Sequence, residues 1–574
     1  MVFQGLPVSR GIALGRVFVY APFKARMGER SIGGEDRAAH NIRFNEAVKQ
    51  AVAELRELQK KMAAADPGKA GIFEAHEDIL TDVAIIEEIL TLINEEPCAG
   101  DYAVETVYSK YEKLFADMDD DIMQERCADF RDVKNRILRI WAGAEQQSLA
   151  DLEEPALIFA HDLLPSDTAA LDRKNALAIV TETGGSTSHS AIIARSYEIP
   201  ALLGITGVMA QVTNGMFGVV DALEGKLILN PGEGERKKYE QKRAEYGRIL
   251  EETRRFRSVE PVMADDTAIG VYCNIGSVND EELEAAAWTG GVGLFRSEFL
   301  FMQGKTLPSE NEQFRVYTKA LEAYGSRQVI LRTLDIGGDK TVESMDLPKE
   351  ENPFLGCRAL RLCFQRTGIF KTQLRAALRS SVHGNLALMF PMVGSLEDIR
   401  RAKHYLEECR QELESENIPF NKNMPVGIMI EIPAIAVMAE AAAKEVDFAS
   451  VGTNDLCQYL MAVDRLNPHV ASYYQSCHPA MFRLINQTAA AFEREGKSLS
   501  ICGEMGGDPG AVAAFIGMGI KKFSMTAANV PGVKRMLTRL TLADARKLAA
   551  RVLRLTTALQ IEDVLKTAAE KLLA

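Results

Sequence analysis

Apolar residues recur at two different spacings along the chain. After about Glu35 they follow helical spacing through four long stretches, which predict helices over 35–63, 68–95, 100–117 and 120–146. Short apolar runs typical of strands flank this region. The first twenty residues predict a short strand pair, and further strands are predicted at 156–160, 176–182, 217–222 and 226–230. The pattern indicates an α/β domain with a helical bundle inserted after its first strands.

The carboxyl-terminal half alternates regularly between strand and helix patterns. Eight short apolar runs are separated by helical stretches, at 268–275, 292–296, 329–336, 386–393, 426–432, 448–452, 499–505 and 521–525. Eight strand-plus-helix units are what a (β/α)8 TIM barrel requires. A doubly wound open sheet is the alternative, but eight runs over about 300 residues favour closure into a barrel.

A highly charged segment, PGEGERKKYEQKRAEYGRILEETRRFRS, separates these two regions. It has almost no apolar face, which predicts a solvated linker helix. The expected multidomain α/β organisation therefore has four parts: an α/β domain of residues 1–30 and 147–230, an inserted helical subdomain of 31–146, a linker helix of 231–260 and a barrel of 261–574.

Composition narrows the class of protein. With 574 residues, 47% of them apolar and 26% charged, and no apolar run long enough to cross a bilayer, the chain reads as a soluble protein of several domains without membrane insertion. Its start lacks the features of a signal peptide, so a cytoplasmic location is expected. The nine scattered cysteines suggest neither disulfides nor a zinc site. A net charge of −13 argues against nucleic acid as a partner and leaves room for a basic protein.

Polar residues close several of the eight predicted barrel strands, where the active sites of such barrels gather. They are Arg296, Glu298, Arg332, Asp335, Glu431, Asn454, Asp455, Arg465, Cys502 and Glu504. The arginines suit a small substrate that carries phosphate and carboxylate. Glu431 and Asp455 offer oxygen ligands to a hard cation such as Mg²⁺, and Cys502 could act as an acid. Any one strand-end residue could equally serve in a salt bridge or a cap, but convergence on one rim favours a site.

A second candidate site is the loop TGGSTSHSAIIARS at 183–196. Gly184 and Gly185 permit an unusual backbone path, and an apolar helical pattern begins just after His189. The free N–H groups of a helix start favour an anion, such as a phosphate on the histidine. A lone histidine there is more often a surface or cap residue. The glycine pair, the hydroxyl groups and Arg195 bring the two interpretations close to even.

The motifs together resemble those of Enzyme I of the bacterial sugar phosphotransferase system, the phosphoenolpyruvate-protein phosphotransferases. In chain order they are GGSTSHSAIIARSYEIPA, GVGLFRSEFLF, RTLDIGGDK, ENPFLGCRALR, EIPA, GTNDLCQY, AVDR and CGEMGGD. Several are shared with pyruvate phosphate dikinase and phosphoenolpyruvate synthase. The complete set, in this order over essentially the whole chain, is typical of Enzyme I.

The resemblance implies a reaction and a role for each matching position. His189 would be phosphorylated through Nε2 from phosphoenolpyruvate, with Thr168 orienting the other ring nitrogen and Cys502 protonating the enolate as pyruvate forms. Substrate-binding roles are implied for Arg296, Arg332, Arg358, Asn454, Asp455 and Arg465. Glu431 and Asp455 would ligate Mg²⁺. Ser186 stands where many members carry arginine, so retention of the phosphate would be weaker unless Arg195 supports it.

The resemblance also implies partners. The 31–146 subdomain would dock the phosphocarrier HPr, the barrel would form a homodimer, and the phosphohistidine α/β domain would swivel between barrel and carrier. Segment 72–96 carries eight acidic residues and no basic one, which suits a basic partner surface, although an ordinary solvated helix face is the plain alternative. The residues at helical spacing in this segment are expected to be mostly core, with some exposed for docking. They are Phe73, His76, Ile79, Leu80 and Val83.

Three other functions compete with this interpretation. A dikinase or synthase would need a nucleotide-binding domain, for which no Gly-rich segment is present. A regulatory protein that signals through its phosphorylation state is disfavoured because residues at every expected catalytic position are intact. A carbon–carbon lyase on a similar magnesium barrel would not need the TSHS loop.

Overall fold

A computed structural model describes residues 1–20, 37–65, 67–95, 98–116, 121–144, 149, 152, 154–163, 167, 171, 173–185, 188–197, 199–302, 306–337, 345, 350–465, 467 and 469–573. For some of the helical residues in these ranges, His189 among them, only the backbone is described. The chain forms two compact units, Met1–Ile249 and Leu250–Ala574.

The first unit contains a helical bundle. Its described residues form five helices, Arg37–Ala65, Pro67–Leu80, Val83–Glu95, Gly100–Ala116 and Asp121–Trp141. The single helix predicted over 68–95 is therefore wrong. The chain breaks before Val83 because Asp82 Oδ1 accepts hydrogen bonds from the amides of Ala84 (2.9 Å) and Ile85 (3.1 Å), which caps a new helix. The apolar periodicity continues across this break and conceals it.

The rest of the first unit is an eight-stranded sheet in the order β1-β8-β7-β3-β4-β5-β6-β2. Its strands are β1 Val2–Gln4, β2 Leu6–Ser9, β3 Ile12–Tyr20, β4 Ala156–Ala160, β5 Ala176–Thr181, β6 Ala201–Leu203, β7 Phe217–Asp221 and β8 Lys226–Leu229. The expected pair in the first twenty residues is wrong, since three strands form there. β1 and β2 pair with β8 and β6 at opposite edges of the sheet, which the local sequence pattern does not encode.

Strands β3 to β6 run parallel, and β4 lies at the centre of the sheet with both faces buried. Ile158 packs into the core on one face and Leu157 and Phe159 into the core on the other. The sheet carries the helix His189–Ser196, which follows β5 and returns the chain to β6. A charged helix, Glu233–Arg254, follows β8 where the linker helix was predicted.

The second unit is a closed barrel of eight parallel strands. They are β9 Gly270–Ile275, β10 Gly291–Arg296, β11 Gln328–Arg332, β12 Asn385–Phe390, β13 Val426–Ile430, β14 Phe448–Gly452, β15 Ser498–Cys502 and β16 Lys522–Met525. Each strand pairs with the next in sequence, and β16 closes onto β9. Every strand lies within or beside the apolar run that predicted it.

Helices surround this barrel. Those described are Asp280–Glu284, Glu298–Met302, Glu310–Tyr324, Leu360–Gln365, Thr367–Ser380, Leu396–Ser415, Pro433–Val437, Ala439–Glu445, Thr453–Met461, Pro479–Arg494, Pro509–Gly517, Val530–Leu537, Leu542–Val552 and Ala558–Leu573. Outward-facing strand residues such as Leu331 and Phe523 pack against them, while Ile330 and Met429 fill the interior. Within the described residues, no helix combines the length and apolar character needed to cross a membrane.

Candidate active site

The carboxyl ends of the barrel strands meet at one rim, and the residues singled out in the sequence lie there. Arg296 ends β10, Arg332 ends β11 and Cys502 ends β15. Glu431 follows directly after β13, and Asp455 lies in the first turn of the helix that follows β14. Strand register thus brings together residues that are far apart in sequence.

Arg332 is buried among carboxylates at this rim. Its Nη2 lies 2.6 Å from Glu298 Oε1 and 2.9 Å from Asp335 Oδ2, and Nη1 lies 3.6 Å from the sulfur of Met429. Burial alone would lower the pKa of Arg332, but the neighbouring carboxylates outweigh it and raise that pKa above its ordinary value. The guanidinium is therefore fixed in position and always charged.

Arg358 shares one of these carboxylates. Its Nη2 lies 2.9 Å from Asp335 Oδ1, and its Nη1 lies 3.4 Å from Asp455 Oδ1 and 3.0 Å from the hydroxyl of Tyr459. Gly337 makes this approach possible, because a Cβ there would lie 2.8 Å from the Cα of Arg358. Asp335 thus bridges two buried arginines, and Arg358 extends the network to the helix after β14.

Asp455 also faces Arg465, whose Nη1 lies 3.8 Å from Asp455 Oδ1. The backbone amide of Arg465 donates to Gln458 Oε1 at 3.1 Å, which holds the end of this segment against its own helix. Next to Asp455, Asn454 Oδ1 accepts a hydrogen bond from the amide of Glu504 at 3.2 Å. Four predicted rim residues from the segments after β14 and β15, Asn454, Asp455, Arg465 and Glu504, therefore lie close together.

Glu431 is fully buried, and one of its carboxylate oxygens, Oε1, accepts a hydrogen bond from the amide of Met392. Its other oxygen, Oε2, has no hydrogen-bond partner among the described residues. Burial first, and then the charges of Asp455 and Asp335, raise the pKa of Glu431 to about 7. Gly452 leaves the space beside Oε2 open, since a Cβ there would lie 3.0 Å from it.

Cys502 lies inside the barrel with about 1% of its surface exposed, and its thiol donates to the carbonyl of Val451 at 3.4 Å. Burial raises the pKa of this thiol to about 11. The nearby positive charges of Arg332 and Arg296 act in the opposite direction but do not overcome it. At neutral pH the sulfur therefore carries a proton that it can donate.

Arg296 occupies a separate position at the rim. Its side chain is half-buried and borders a cavity of about 230 Å³ together with Asn274, Ser277 and Glu282. Among the described residues, no hydrogen bond or ion pair engages its guanidinium. Its charge is therefore less neutralised than that of Arg332, which leaves it available to an anionic ligand.

The helix that carries the predicted phosphorylation site begins at His189. Ser188 caps it, because its Oγ accepts from the amide of Ala191 at 3.3 Å and donates to the carbonyl of Gly185 at 3.0 Å. Gly184 has φ +98, a conformation that glycine adopts readily. Thr168, Ser186 and the side chain of His189 lie outside what the structure describes.

Arg195 lies in the last turn of the same helix, and its Nε donates to the carbonyl of Val8 at 3.0 Å. At about 1.5 Å per residue, it is about 9 Å along the axis from the helix start, where an anion would bind. This contact packs the helix against β2, and the support of a phosphate by Arg195 stays a prediction.

Comparison with known proteins identifies the family. Three family models match: "PEP-utilising enzyme, N-terminal" over 4–126, "PEP-utilising enzyme, mobile domain" over 152–225 and "PEP-utilising enzyme, PEP-binding domain" over 250–542. A phosphoenolpyruvate-protein phosphotransferase of Priestia megaterium is 41% identical over 544 residues, 94% of each chain. One of Geobacillus stearothermophilus is 41% identical over 98% of this chain and 97% of its own. This chain belongs to the phosphoenolpyruvate-protein phosphotransferases.

A solution NMR structure of an Enzyme I protein is 35% identical, covers 43% of this chain and 99% of its own, and has a TM-score of 0.39. Membership of the phosphoenolpyruvate-protein phosphotransferases confirms the resemblance drawn from the motifs. It also confirms the multidomain architecture with its parallel barrel, and a transferase activity that uses phosphoenolpyruvate.

Sequence reasoning missed Tyr459, which donates to the carbonyl of Phe354 at 2.6 Å and contacts Arg358. A signal was present, because Tyr459 lies four residues after Asp455 and residues at that spacing share a helix face. Glu298 and Asp335 were singled out as rim residues, but their role as partners of the arginines appears only in the folded chain. Among the described residues, no group of three or more His, Cys, Asp or Glu is arranged to hold a metal ion.

Replacing Arg358 with methionine should remove one of the two ion pairs of Asp335 and leave only the pair with Arg332. Because breaking one partner of a buried ion pair leaves an uncompensated charge, we expect the barrel to lose about 3–5 kcal/mol of unfolding free energy. Arg361→Met is the matched control, since Arg361 is exposed and, among the described residues, its Nη1 donates to the carbonyls of Leu355 and Gly356 and to no carboxylate. Urea unfolding followed by Trp288 fluorescence, in a Trp141→Phe background, reports on the barrel alone. Equal losses in the two variants would contradict the role of the network.

The thiol of Cys502 should make the barrel's stability depend on alkaline pH. Its pKa is raised in the folded chain, so the unfolded chain loses the proton first, between about pH 9 and 11. The stabilisation is complete below the unfolded pKa and is lost as the pH rises through the folded pKa. The stability of wild type relative to Cys502→Ala should therefore fall by on the order of 3 kcal/mol over this range. A difference that stays constant from pH 8 to 11 would rule this out.

Proposed function

We propose that this chain transfers the phosphoryl group of phosphoenolpyruvate to Nε2 of its own His189, with Mg²⁺, and releases pyruvate. It then passes the group to a histidine of the phosphocarrier HPr, which is the first step of sugar uptake by the phosphotransferase system. The observation that carries the proposal is the proton held on Cys502 at a rim built from arginines and carboxylates. The proposal includes a cytoplasmic location and a homodimer formed through the barrel.

The substrate is held by the guanidinium groups of the rim. Arg296 and Arg465 are the less buried of these, so they contact the phosphate and carboxylate of phosphoenolpyruvate where the ligand enters from solvent. Arg332, fixed by Glu298 and Asp335, orients the phosphate, and Asn454 supplies its amide group to the same ligand. Arg358 supports the pocket through Asp335 and Asp455.

Glu431 and Asp455 would hold Mg²⁺. Three features of Glu431 fit a divalent cation with oxygen ligands: its Oε2 has no partner among the described residues, Gly452 leaves the space beside that oxygen open, and burial together with repulsion from Asp455 and Asp335 raises its pKa. When bound, Mg²⁺ supplies charge neutralisation for the oxygens of the transferred phosphoryl group. The two carboxylates alone are too few to close its coordination shell, which leaves positions for substrate oxygens and water.

The transfer step divides between the two units. The bond between phosphorus and the enol oxygen breaks as His189 Nε2 bonds to phosphorus, and the electron pair stays on the enolate. Cys502 then gives its thiol proton to the methylene carbon, which completes pyruvate, and regains a proton from water. Protonation removes the enolate that the reverse reaction would need, and this makes phosphoryl transfer more favourable overall. Thr168 stays predicted to orient the other ring nitrogen of His189.

Docking of HPr on the helical bundle is supported by the exposed residues Val83 and Glu87 of segment 72–96. Phe73, His76, Ile79 and Leu80 are buried, whereas Val83 is 67% exposed and starts a helix. Part of the segment's acidity is neutralised within the bundle, since Glu88 pairs with Lys110 at 2.6 Å. Glu87, one turn after Val83, is exposed and has no ion pair or hydrogen bond among the described residues. An apolar residue beside an unpaired carboxylate suits a basic carrier.

Labelled phosphoenolpyruvate tests the phosphorylation site. Wild type incubated with it and Mg²⁺ should acquire an acid-labile, base-stable label, and His189→Ala should acquire none because the acceptor nitrogen is gone. The matched control is His161→Ala, which removes an exposed histidine of the same unit. Label that persists in His189→Ala, or that disappears equally in His161→Ala, would defeat the assignment.

Val83→Asp tests the docking surface. It places a charge where the carrier is expected to bury an apolar side chain, so the Kd for HPr, measured by titration calorimetry, should rise at least about tenfold. Val382→Asp makes the same chemical change at an exposed valine of the barrel and should leave the Kd unchanged. Phosphorylation from phosphoenolpyruvate should be normal in both. An unchanged Kd in Val83→Asp would place the carrier elsewhere.

A further inference from the structure

A cavity of about 240 Å³ lies at the end of the barrel opposite the candidate active site. Its walls come from the beginnings of strands: Gln328 starts β11, Ser498 starts β15 and Lys522 starts β16. Because the amino ends of parallel strands meet at one end of a barrel, these residues surround a single space. We call it the amino-end cavity.

Lys522 points into the barrel. Side chains alternate along a strand, so Lys522 and Ser524 share one face while Phe523 lies on the other and packs against the outer helices. The face of Ser524 is the interior, because a Cβ on Gly293 of β10 would lie 2.4 Å from its Oγ although β9 separates the two strands within the sheet. The stem of Lys522 is therefore directed into the amino-end cavity.

The ammonium group of Lys522 has no counter-ion there. Among the described residues, no carboxylate pairs with it and no acceptor bonds to it. Burial lowers its pKa, with no neighbouring charge to offset the effect. Asp447 also borders the cavity, but its Oδ2 accepts from the amide of Val426 at 2.9 Å and its Oδ1 lies 4.0 Å from Lys497. A half-buried cation thus stands without the partner that such groups normally have.

Neutral donors surround this cation. Tyr272, Gln328 and Ser498 border the cavity, and the hydroxyl or amide group of each has no hydrogen-bond partner among the described residues. Their N–H and O–H groups, added to the three of an ammonium, can satisfy several oxygens of one small anion. The volume far exceeds the roughly 10–15 Å³ that a single water requires.

The amino-end cavity is not a second route to the active site. Apolar side chains fill the interior between the two ends, among them Leu294, Ile330, Met389 and Phe448. Ile330 and Phe448 also form the inner wall of the cavity. An anion bound at Lys522 would be separated by this layer from Cys502 and the arginines of the rim.

We propose that the amino-end cavity binds a small oxyanion, with Lys522 as its charge partner and Tyr272, Gln328 and Ser498 as hydrogen-bond donors. Inorganic phosphate and a small carboxylate share the required chemistry, which is a compact group of charged oxygens. The site is independent of phosphoryl transfer at His189, and its ligand does not compete with phosphoenolpyruvate.

The direct test is NMR of the full chain with ¹³Cε-labelled lysine, in which Lys522→Arg assigns the signal. Phosphate and acetate are titrated separately, with chloride at matched ionic strength as the blank. Either oxyanion should shift the Lys522 signal saturably and raise its pKa, whereas Lys521, its exposed neighbour, should not respond. A response to phosphate alone assigns a phosphate site, and a response to both assigns a general oxyanion site. No saturable response to either would overturn the proposal.

A second measurement separates charge pairing from a general effect of the anion. The ring signal of Tyr272, in protein with ¹³C-labelled tyrosine, reports on the cavity without depending on the lysine. Lys522→Met should weaken its apparent affinity for the oxyanion at least about tenfold, because a charged hydrogen-bond partner is lost. Lys521→Met removes the same charge from the outside and should behave as wild type. Equal titrations in the two variants would show that Lys522 does not hold the anion.

Discussion

The carboxylate of Asp335 bridges two buried guanidinium groups, and the arrangement of the candidate active site at the barrel rim depends on this bridge. Each oxygen lies 2.9 Å from one arginine, Oδ2 from Arg332 and Oδ1 from Arg358. Moving charges out of water costs several kcal/mol per ion, which only good geometry and full pairing offset. The bridge therefore fixes Arg332 at the end of β11 relative to the loop that carries Arg358, and through Arg358 it fixes Asp455.

The same cluster carries more negative than positive charge. Four carboxylates, of Glu298, Asp335, Glu431 and Asp455, face three guanidinium groups, of Arg332, Arg358 and Arg465. Glu431 shows the effect of this excess negative charge, since burial and the neighbouring carboxylates raise its pKa to about 7. A divalent cation would relieve this repulsion, which agrees with the Mg²⁺ proposed to bind Glu431 and Asp455.

The rim residues could be predicted from the sequence because every residue that follows a barrel strand lies at the same end of the barrel. Arg332, Glu431 and Cys502 each end or follow an apolar run, and parallel strands bring those ends together. Features that depend on distant partners were not predictable. The helix start at Val83 rests on a cap hidden by continuous apolar periodicity, and β1 and β2 pair with opposite edges of the sheet. The hydrogen bond from the Met392 amide to Glu431 Oε1 likewise joins residues that are distant in sequence.

The two ends of the barrel differ in whether their buried cations are paired with carboxylates of the chain. At the rim of the candidate active site, Arg332 and Arg358 are paired with carboxylates of the chain itself, so the cost of removing their charges from water is offset. At the amino end, no charge on the described residues offsets the cost of burying the ammonium group of Lys522, and a bound anion would supply that charge. The sequence has two adjacent lysines, Lys521 and Lys522, and does not reveal which of them faces the barrel interior. Whatever binds only the folded chain stabilises it by mass action. An oxyanion bound at Lys522 would therefore stabilise the barrel at the end opposite the candidate active site.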